Sequence, residues 1–233
     1  MATNRIHPTA IIESSVQMGS GNTIGPYSVI LGNCRIGDNN FIGPHVTIGT
    51  PGEIRGAHHP ATWAGDSDTA TVRIGNGNVL REFVTIQSGL VYGTHIGNDC
   101  YVMTKSHVPH DGQLENNVTV SCSVMIGGHS IIQSGATIGL GTVIHQKLVV
   151  GSLAMIGMGS VVTRSIPPFA LAYGNPAIVK GGNVVGMRRA NLNESEINQI
   201  STLLSENRSA DLFNLSLIEN SNFMIAKESI ATD

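Results

Sequence analysis

The sequence predicts an all-β fold: a left-handed parallel β-helix of hexapeptide repeats with a short α-helical C-terminal region. Three observations predict it. Aliphatic residues recur every six positions, glycine often follows them, and aromatic and charged residues are scarce. The chain of 233 residues contains 28 glycines, while aromatic residues make up 4% and charged residues 12%. Such a composition is typical of a repetitive, turn-rich architecture rather than of an ordinary globular domain.

The six-residue period runs through most of the first 162 residues. Aliphatic side chains hold one register at Ile6, Ile12, Met18, Ile24, Ile30, Ile36, Ile42 and Ile48, and then at Ile74, Leu80 and Ile86. A third run is Ile96, Val102, Val108, Leu114, Val120, Ile126, Ile132, Ile138, Ile144, Val150, Ile156 and Val162. An amphipathic helix would repeat every three to four residues and would not tolerate so much glycine. Six residues suit one short strand and a tight turn, so three hexads make an 18-residue triangular coil.

Two interruptions of this period are predicted to be loops. They span about 49–73 and 87–95, within a β-helix domain of residues 1–166. Insertions in a solenoid must leave at corners, and they often gather on the binding face. The first loop contains the pair His58 and His59, which either contacts substrate or covers a coil edge.

Beyond the repeats, residues 167–190 are expected to form a linker and arm, because a proline pair and a Gly-Asn-Pro turn interrupt regular structure there. Residues 191–233 are expected to form the short helical C-terminal region. One helix should begin at an Asn193 N-cap that is followed by acidic residues. A second helix is predicted over about Ala210–Lys227. Both helices could cap the open end of the β-helix.

Charge, cysteine content and hydropathy narrow the class of protein. Lys and Arg number 13 against 16 Asp and Glu, so no basic surface for nucleic acid is expected. Cys34, Cys100 and Cys122 are far apart and lack metal-type spacing, which favours a reducing cytoplasm. No stretch approaches the roughly 18 apolar residues that span a bilayer. We therefore expect a cytoplasmic protein without a transmembrane segment.

Histidines stand out in the second half of the chain, at His107, His110, His129 and His145. Spacings near 18 place the last three close to one edge of the prism in successive coils. Three interpretations of these histidines remain open. They are polar turn residues without a function, ligands of a metal site suggested by the HxxH spacing of His107 and His110, or a source of a general base. No carboxylate or cysteine completes an obvious metal site, so no metal is expected.

His110 is the best candidate for a general base, because Asp111 follows it directly. A neutral imidazole can take a proton from an attacking hydroxyl or amine, and a carboxylate can hold the required tautomer. Adjacency alone does not bring the two side chains together, since successive strand residues point to opposite faces. The sequence contains no GxSxG motif, P-loop or dinucleotide fingerprint.

Five motifs together resemble the UDP-N-acetylglucosamine acyltransferase family of lipid A biosynthesis. In order along the chain they are HVPHD, GGHS, IHQK, PPFALAYGNPA and MRRANL. The resemblance covers about residues 5–205. The hexad alone indicates only the broad superfamily of acyl- and acetyltransferases, whereas the ordered set of histidines and paired arginines is more specific.

The resemblance implies a homotrimer with active sites in the clefts between subunits. His110 would deprotonate the 3-hydroxyl or 3-amine of a UDP-sugar, which then attacks the thioester of an acyl carrier protein. Asp111 matches the acidic neighbour of this base. Gly128 is expected to offer a backbone N–H to the developing oxyanion. No cofactor is expected beyond the co-substrate, which is acyl carrier protein or acyl-CoA.

The resemblance also implies a set of substrate-binding residues. His107 matches the first histidine of the HxxHD motif, and the sugar and nucleotide region would meet His129, His145 and Gln146. The paired arginines Arg188 and Arg189 would bind the phosphates or ribose of UDP, a role that suits the guanidinium group. Acyl length is set in this family by a residue that corresponds to Met158, so we expect a medium or short acyl chain.

The chain departs from the family pattern in three places. A longer GEIRGAHHPATWAGDSD replaces a short nucleotide-contacting loop, and Gln87-Ser88-Gly89-Leu90 replaces a His-Arg-Gly-Thr segment. The last 40 residues are not basic, although docking of an acidic carrier favours positive charge. An alternative is therefore an acyl-CoA- or acetyl-CoA-dependent N-acyltransferase that modifies an amino sugar nucleotide for surface polysaccharide. A non-catalytic hexapeptide protein is a third possibility.

Overall fold

The computed structural model describes residues 3–56, 71–209 and 212. Within these residues the strands form three sheets of 10, 8 and 7 strands, all parallel apart from one terminal pair. The left-handed parallel β-helix predicted from the six-residue period is confirmed. The pair His58 and His59 lies outside the described residues, as does the helix predicted over Ala210–Lys227 apart from Leu212.

The strands are short and follow one another around the three sheets in turn. The first sheet contains β1 (Arg5–Ile6), β4 (Thr23–Ile24), β7 (Phe41–Ile42), β10 (Val79–Leu80), β13 (Tyr101–Val102), β16 (Thr119–Val120), β19 (Thr137–Ile138), β22 (Met155–Ile156), β24 (Ala170–Gly174) and β25 (Ala177–Gly182). The second contains β2 (Ile11–Ile12), β5 (Val29–Ile30), β8 (Thr47–Thr50), β11 (Thr85–Gln87), β14 (His107–Val108), β17 (Met125–Ile126), β20 (Val143–Ile144) and β23 (Val161–Val162). The third contains β3 (Gln17–Met18), β6 (Cys34–Ile36), β9 (Val72–Ile74), β12 (Thr94–Ile96), β15 (Gln113–Leu114), β18 (Ile131–Ile132) and β21 (Val149–Val150).

Each coil turns three corners. The first corner leads from the first sheet to the second, the second corner from the second sheet to the third, and the third corner back to the first. Strands of neighbouring coils pair in register, as Val120 does with Ile138 and Ile138 with Ile156. Residues 18 positions apart therefore stack along the prism wherever no insertion intervenes.

The repeating aliphatic residues point into the prism and form its core. Ile30, Ile86 and Ile138 are completely buried, as are most of their equivalents. Burial of such a side chain stabilises the fold by about 1.5–3 kcal/mol, and every coil adds three of them to one continuous column. Ile6 in the first coil is 47% exposed, because no further coil covers it.

Corners share a backbone signature. The third residue after the inward aliphatic has a positive φ in many coils, as at Asn39 (57°), Asp111 (55°), Asn117 (58°) and His129 (60°). Asn and Asp tolerate this left-handed conformation better than most residues, because their short side chains can form local hydrogen bonds. The side chain of this third residue after the inward aliphatic therefore projects in a direction that a strand residue could not take.

Both interruptions of the period leave the prism at the second corner. β8 ends at Thr50 and β9 begins at Val72, while β11 ends at Gln87 and β12 begins at Thr94. In each case the chain passes from the second sheet to the third. The two loops are therefore on the edge that carries His110.

The segment 167–190 differs from the linker and arm that we expected. β24 pairs in parallel with β22 and extends the first sheet, and β25 then folds back antiparallel to β24. The coil continues because Ile166, which forms a bridge with Val150, takes the next inward position. Ile166 stands four residues after Val162 instead of six, so the six-residue pattern ends before the coil does.

Two helices follow the strands in the described part of the chain. α1 (Val184–Arg189) lies within the predicted arm, so helical structure begins before residue 191. α2 (Glu194–Ser205) starts at Asn193, as the sequence predicts, with a capping box between Asn193 and Glu196. Neither helix is long and apolar enough to cross a bilayer.

Four asparagines of successive coils form an asparagine ladder at the third corner: Asn4, Asn22, Asn40 and Asn78. Oδ1 of Asn40 accepts hydrogen bonds from the backbone N–H and the side-chain amide of Asn78, at 2.9 and 3.0 Å. The amide of Asn40 donates in turn to Asn22 Oδ1 and to Gly75 O. Asn40 is 1% exposed, so water cannot replace these bonds.

Substitution Asn40→Leu should lower the free energy of unfolding by about 2–4 kcal/mol, because several buried polar groups would lose their partners. Urea unfolding followed by circular dichroism measures the change. Asn98→Ala is the matched control, because Asn98 makes similar bonds to Asn76 and Asn116 on the exposed surface. A loss of equal size in both variants would contradict the importance of burial.

Candidate active site

Histidines of three successive coils lie on the second corner. His110 follows β14, His129 follows β17 and His145 follows β20, and these strands are neighbours in the second sheet. They stand two, three and one residues after the inward aliphatic of their own coils. The histidines therefore share one edge of the prism without forming a single straight column.

His110 and Asp111 form a buried pair. The left-handed backbone of Asp111, with a φ of 55°, turns its carboxylate back toward the preceding ring. His110 Nδ1 lies 3.1 Å from Asp111 Oδ2, and the side chains expose only 10% and 0% of their surface. Because a carboxylate only accepts hydrogen bonds, the neutral form of the ring carries its proton on Nδ1 and its free lone pair on Nε2. A general base requires this arrangement.

The Asp111 carboxylate also holds the second loop. Its Oδ1 accepts hydrogen bonds from three successive N–H groups, of Val91, Tyr92 and Gly93, at 2.9, 2.7 and 3.1 Å. Its Oδ2 accepts one from Leu90 N–H at 2.9 Å. Burial by itself would raise the pKa of Asp111, but these N–H donors and the neighbouring imidazole together lower it well below the ordinary value. The carboxylate is therefore ionised near pH 7.

Gly128 lies against the His110 ring. A Cβ atom at position 128 would be 2.5 Å from both Cε1 and Nε2 of that ring, so only glycine fits there. Among the residues that the structure describes, none accepts a hydrogen bond from the Gly128 N–H. This N–H can therefore donate to a bound molecule, and Gly128 itself lies beside Nε2 of His110.

His129 and His107 flank the buried pair. The ring of His129 meets that of His110 edge to face, with centroids 4.9 Å apart, and its Nδ1 is 3.8 Å from Asp111 Oδ2. His107 Nδ1 and the Thr85 hydroxyl are 2.8 Å apart. Burial lowers the pKa of His107, and a nearby carboxylate opposes this effect only in part. The ring of His107 is therefore neutral near pH 7.

A possible set of metal ligands is formed by His110, Asp111 and His129, since one ligand atom of each lies within 4.8 Å of the others. However, both oxygens of the carboxylate already accept hydrogen bonds, five in all, from His110 and the loop 90–93. A cation there would compete with these donors for the same lone pairs. The geometry thus favours a hydrogen-bonded base over a metal centre, and the absence of a metal stays a prediction.

The other predicted site residues lie farther from this pair. His145 and Gln146 are exposed on the second corner, one coil beyond Gly128. Met158 is 74% exposed on the first corner, where it follows β22. Within one chain, Met158 and His110 are therefore on different edges of the prism.

The two arginines end α1 and differ in their surroundings. Arg188 forms an ion pair with Glu194, with Nε 2.7 Å from Oε1. Arg189 lines a cleft of about 920 Å³ between α1 and the first sheet, together with Leu153 and Met155. Neither arginine lies on the second corner, so one chain by itself does not bring them to the histidines.

Sequence reasoning missed two residues that contact the backbone and Cβ of His110. Gln87 accepts a hydrogen bond from the His110 N–H, and Gly52 packs so closely that a Cβ atom there would be 2.8 Å from His110 Cβ. Counting hexads around the interruptions would have found this proximity, because the loops leave at the second corner of the two coils that precede the coil of His110.

Comparisons with known proteins show which family the chain is similar to. The family model for bacterial transferase hexapeptide repeats matches residues 15–50, and the one for UDP-N-acetylglucosamine O-acyltransferase domain 2 matches residues 166–206. An acyl-[acyl-carrier-protein]–UDP-N-acetylglucosamine O-acyltransferase of Sinorhizobium fredii is 33% identical over 214 residues, which is 86% of this chain and 79% of the relative. The chain belongs to this O-acyltransferase family.

Other relatives match over a smaller part of their length. The enzyme of the same name from Gloeothece citriformis is 35% identical over 131 residues, 55% of this chain and 48% of the relative. The chain thus spans about half the length of some curated relatives that it matches. A solved UDP-N-acetylglucosamine acyltransferase has a TM-score of 0.78 at 25% identity, covering 94% of this chain and 92% of its own. The one from Campylobacter jejuni has a TM-score of 0.65 at 27% identity, covering 90% of each.

Substitution Asp111→Asn should destabilise the protein by about 3 kcal/mol at pH 7, because the loop N–H groups lose a charged acceptor. The folded-state pKa of Asp111 lies below its unfolded value of about 3.9, so this stabilisation is present above that pH and is lost as pH falls. Urea unfolding between pH 3 and pH 8 should therefore show less acid destabilisation in the variant.

Asp99→Asn is the matched control, because Asp99 has the same φ of 55° but is exposed at the third corner. Its stability and pH dependence should stay within about 0.5 kcal/mol of the unmodified protein, as for ordinary surface substitutions. Equal effects of the two substitutions would contradict the assigned role of Asp111.

Proposed function

We propose that the chain transfers a fatty acyl group from acyl carrier protein to the 3-position of UDP-N-acetylglucosamine or its 3-amino analogue, an early step of lipid A biosynthesis. The main support is the buried pair of His110 and Asp111, which leaves Nε2 of the imidazole free, with Gly128 packed beside it. Family membership supports the same activity, since relatives that match most of the chain carry this name.

In this reaction His110 Nε2 takes the proton from the sugar 3-hydroxyl or 3-amine while that oxygen or nitrogen attacks the thioester carbonyl. Asp111 stabilises the imidazolium that forms. The tetrahedral oxyanion receives a hydrogen bond from Gly128 N–H. When it collapses, the C–S bond breaks and His110 returns the proton to the departing thiol. Direct transfer of this kind uses no cofactor.

The substrate would extend along the second corner. His107, held neutral by burial, and His129, beside the base, are placed to contact the sugar. His145 and Gln146 lie one coil farther on, which suits contact with the nucleotide part. Arg189 presents a guanidinium group at the rim of its cleft, and Arg188 lies next to it, so both are suited to the diphosphate.

A homotrimer would bring together site residues that lie on different edges of one chain. His110 is on the second corner and Met158 on the first, so a neighbouring copy must supply one of them to a shared cleft. The first corner also exposes apolar side chains suited to such a contact: Tyr27 by 58%, Phe83 by 50% and Leu140 by 49%. Free Cys34, Cys100 and Cys122 suit the reducing cytoplasm in which this pathway step would take place.

An acyl-CoA- or acetyl-CoA-dependent N-acyltransferase of an amino sugar nucleotide is the second candidate. α2 has Glu194 and Glu196 in its first turn and no basic residue in its last turn. An acidic surface of this kind disfavours docking of an acidic carrier protein, whereas a CoA thioester, although it is also anionic, needs no protein docking surface and can bind elsewhere on the chain. Comparison of both donors on UDP-N-acetylglucosamine and its 3-amino analogue separates the two functions.

Substitution His110→Ala should lower kcat by about 10²–10⁴-fold with a donor and acceptor that support turnover, because it removes the general base. The trimer should persist, as measured by analytical ultracentrifugation. His7→Ala on the first coil serves as the control and should retain full activity. Unimpaired turnover in the His110→Ala variant would refute the mechanism, whereas a lack of turnover by the unmodified protein with every donor would favour a non-catalytic hexapeptide protein.

Substitution Met158→Gly should shift the preferred acyl chain to a greater length, because the exposed Met158 side chain would no longer block the end of the acyl groove. An assay with a series of acyl lengths measures the shift. Met is flexible, so the unmodified protein should still accept longer chains at a reduced rate. An unchanged length preference would show that this residue does not limit the groove.

A further inference from the structure

Gln87 connects the base to the first loop. It is the last residue of β11 and is 4% exposed. Its Oε1 accepts hydrogen bonds from the backbone N–H of His110 and from that of Glu53, both at 3.3 Å. One buried amide therefore ties together the strand end of one coil, the corner of the next coil and the segment 51–56.

The orientation of this amide follows from its partners. Both groups that face Oε1 are backbone N–H groups, which can only donate, so the oxygen and not the amino group must point toward them. The position of Oε1 thus restrains the backbone at His110. The ring of the same residue is restrained separately, by Asp111 at Nδ1 and by Gly128 beside Cε1 and Nε2.

We propose that Gln87 is a positioning residue for the His110 base. The Oε1 atom holds the backbone of His110, while Gly52 of the restrained segment packs against its Cβ. Without this acceptor the His110 N–H and Glu53 N–H lose their partner, and the base moves relative to Gly128. This inference rests on the proposed acyl transfer, in which a displacement of about 1 Å can cost on the order of 10²-fold in rate.

The first experiment compares Gln87→Met with Gln87→Glu, which have similar size. Met removes the acceptor oxygen, so kcat should fall by about 10–100-fold while KM for the UDP-sugar changes less than about two-fold. Glu keeps an oxygen that accepts both N–H groups, so it should restore kcat to within about five-fold of the unmodified enzyme.

Gln133→Met is the matched control. Gln133 also stands directly after an inward aliphatic, is 2% exposed, and accepts a hydrogen bond from Ser152 N–H at 3.2 Å. It lies on the third corner, away from the histidines. Loss of its acceptor should affect stability about as much as Gln87→Met does, but should leave kcat and KM unchanged.

Amide hydrogen exchange provides a measurement that does not require turnover. Exchange at His110 and Glu53 should be at least about ten-fold faster in Gln87→Met than in the unmodified protein, and Gln87→Glu should restore protection. If the unmodified protein transfers no acyl group, the proposed function is wrong. Unchanged exchange at both amides in Gln87→Met would overturn the role of Gln87 whether or not the protein transfers an acyl group.

Three kinetic outcomes would also overturn the proposal. The first is an unchanged kcat in Gln87→Met. The second is equal loss of kcat in folded Gln87→Met and Gln87→Glu, which would show that the amino group and not the acceptor oxygen is needed. The third is a comparable loss of kcat in Gln133→Met, which would reduce the effect to general destabilisation.

Discussion

Coil stacking constrains every other feature of this molecule. Each strand pairs with strands of the coils above and below, at a spacing of about 4.8 Å, so a residue is held against partners one coil away. A slip of one residue would move the buried aliphatic side chains to the outside. Functional side chains can therefore occupy only outer faces and corners, and additional residues must leave at a corner. Both loops do so where the histidines lie.

The three corners of the prism differ in the polarity and burial of their side chains. The third corner contains the buried asparagine ladder, in which each amide satisfies its neighbours and unpaired polar groups would be costly. The first corner exposes apolar and aromatic side chains, including the stacked rings of Tyr27, His45 and Phe83. The second corner combines histidines, a buried carboxylate and both loops. One repeating backbone thus presents buried amides, exposed apolar side chains and a buried histidine–carboxylate pair on separate edges.

At the second corner, the orientation of the proposed base and local stability depend on the same atoms. The Asp111 carboxylate orients the His110 ring and also accepts four N–H groups of the second loop. Gln87 Oε1 accepts hydrogen bonds from Glu53 N–H in the first loop and from the backbone N–H of the same histidine. Glu53 and residues 90–93 are therefore hydrogen-bonded to the groups that hold the proposed base.

The sequence determined the coil, its buried aliphatic column, the Asn193 cap and the common edge of the three histidines, because local spacing decides all of these. It did not reveal β24 and β25, since a shortened step from Val162 to Ile166 breaks the period. The contact of Asp111 with His110 depends on a left-handed corner backbone, and that of Gln87 with His110 joins residues 23 positions apart across an insertion. Only the stacked coils bring such groups together.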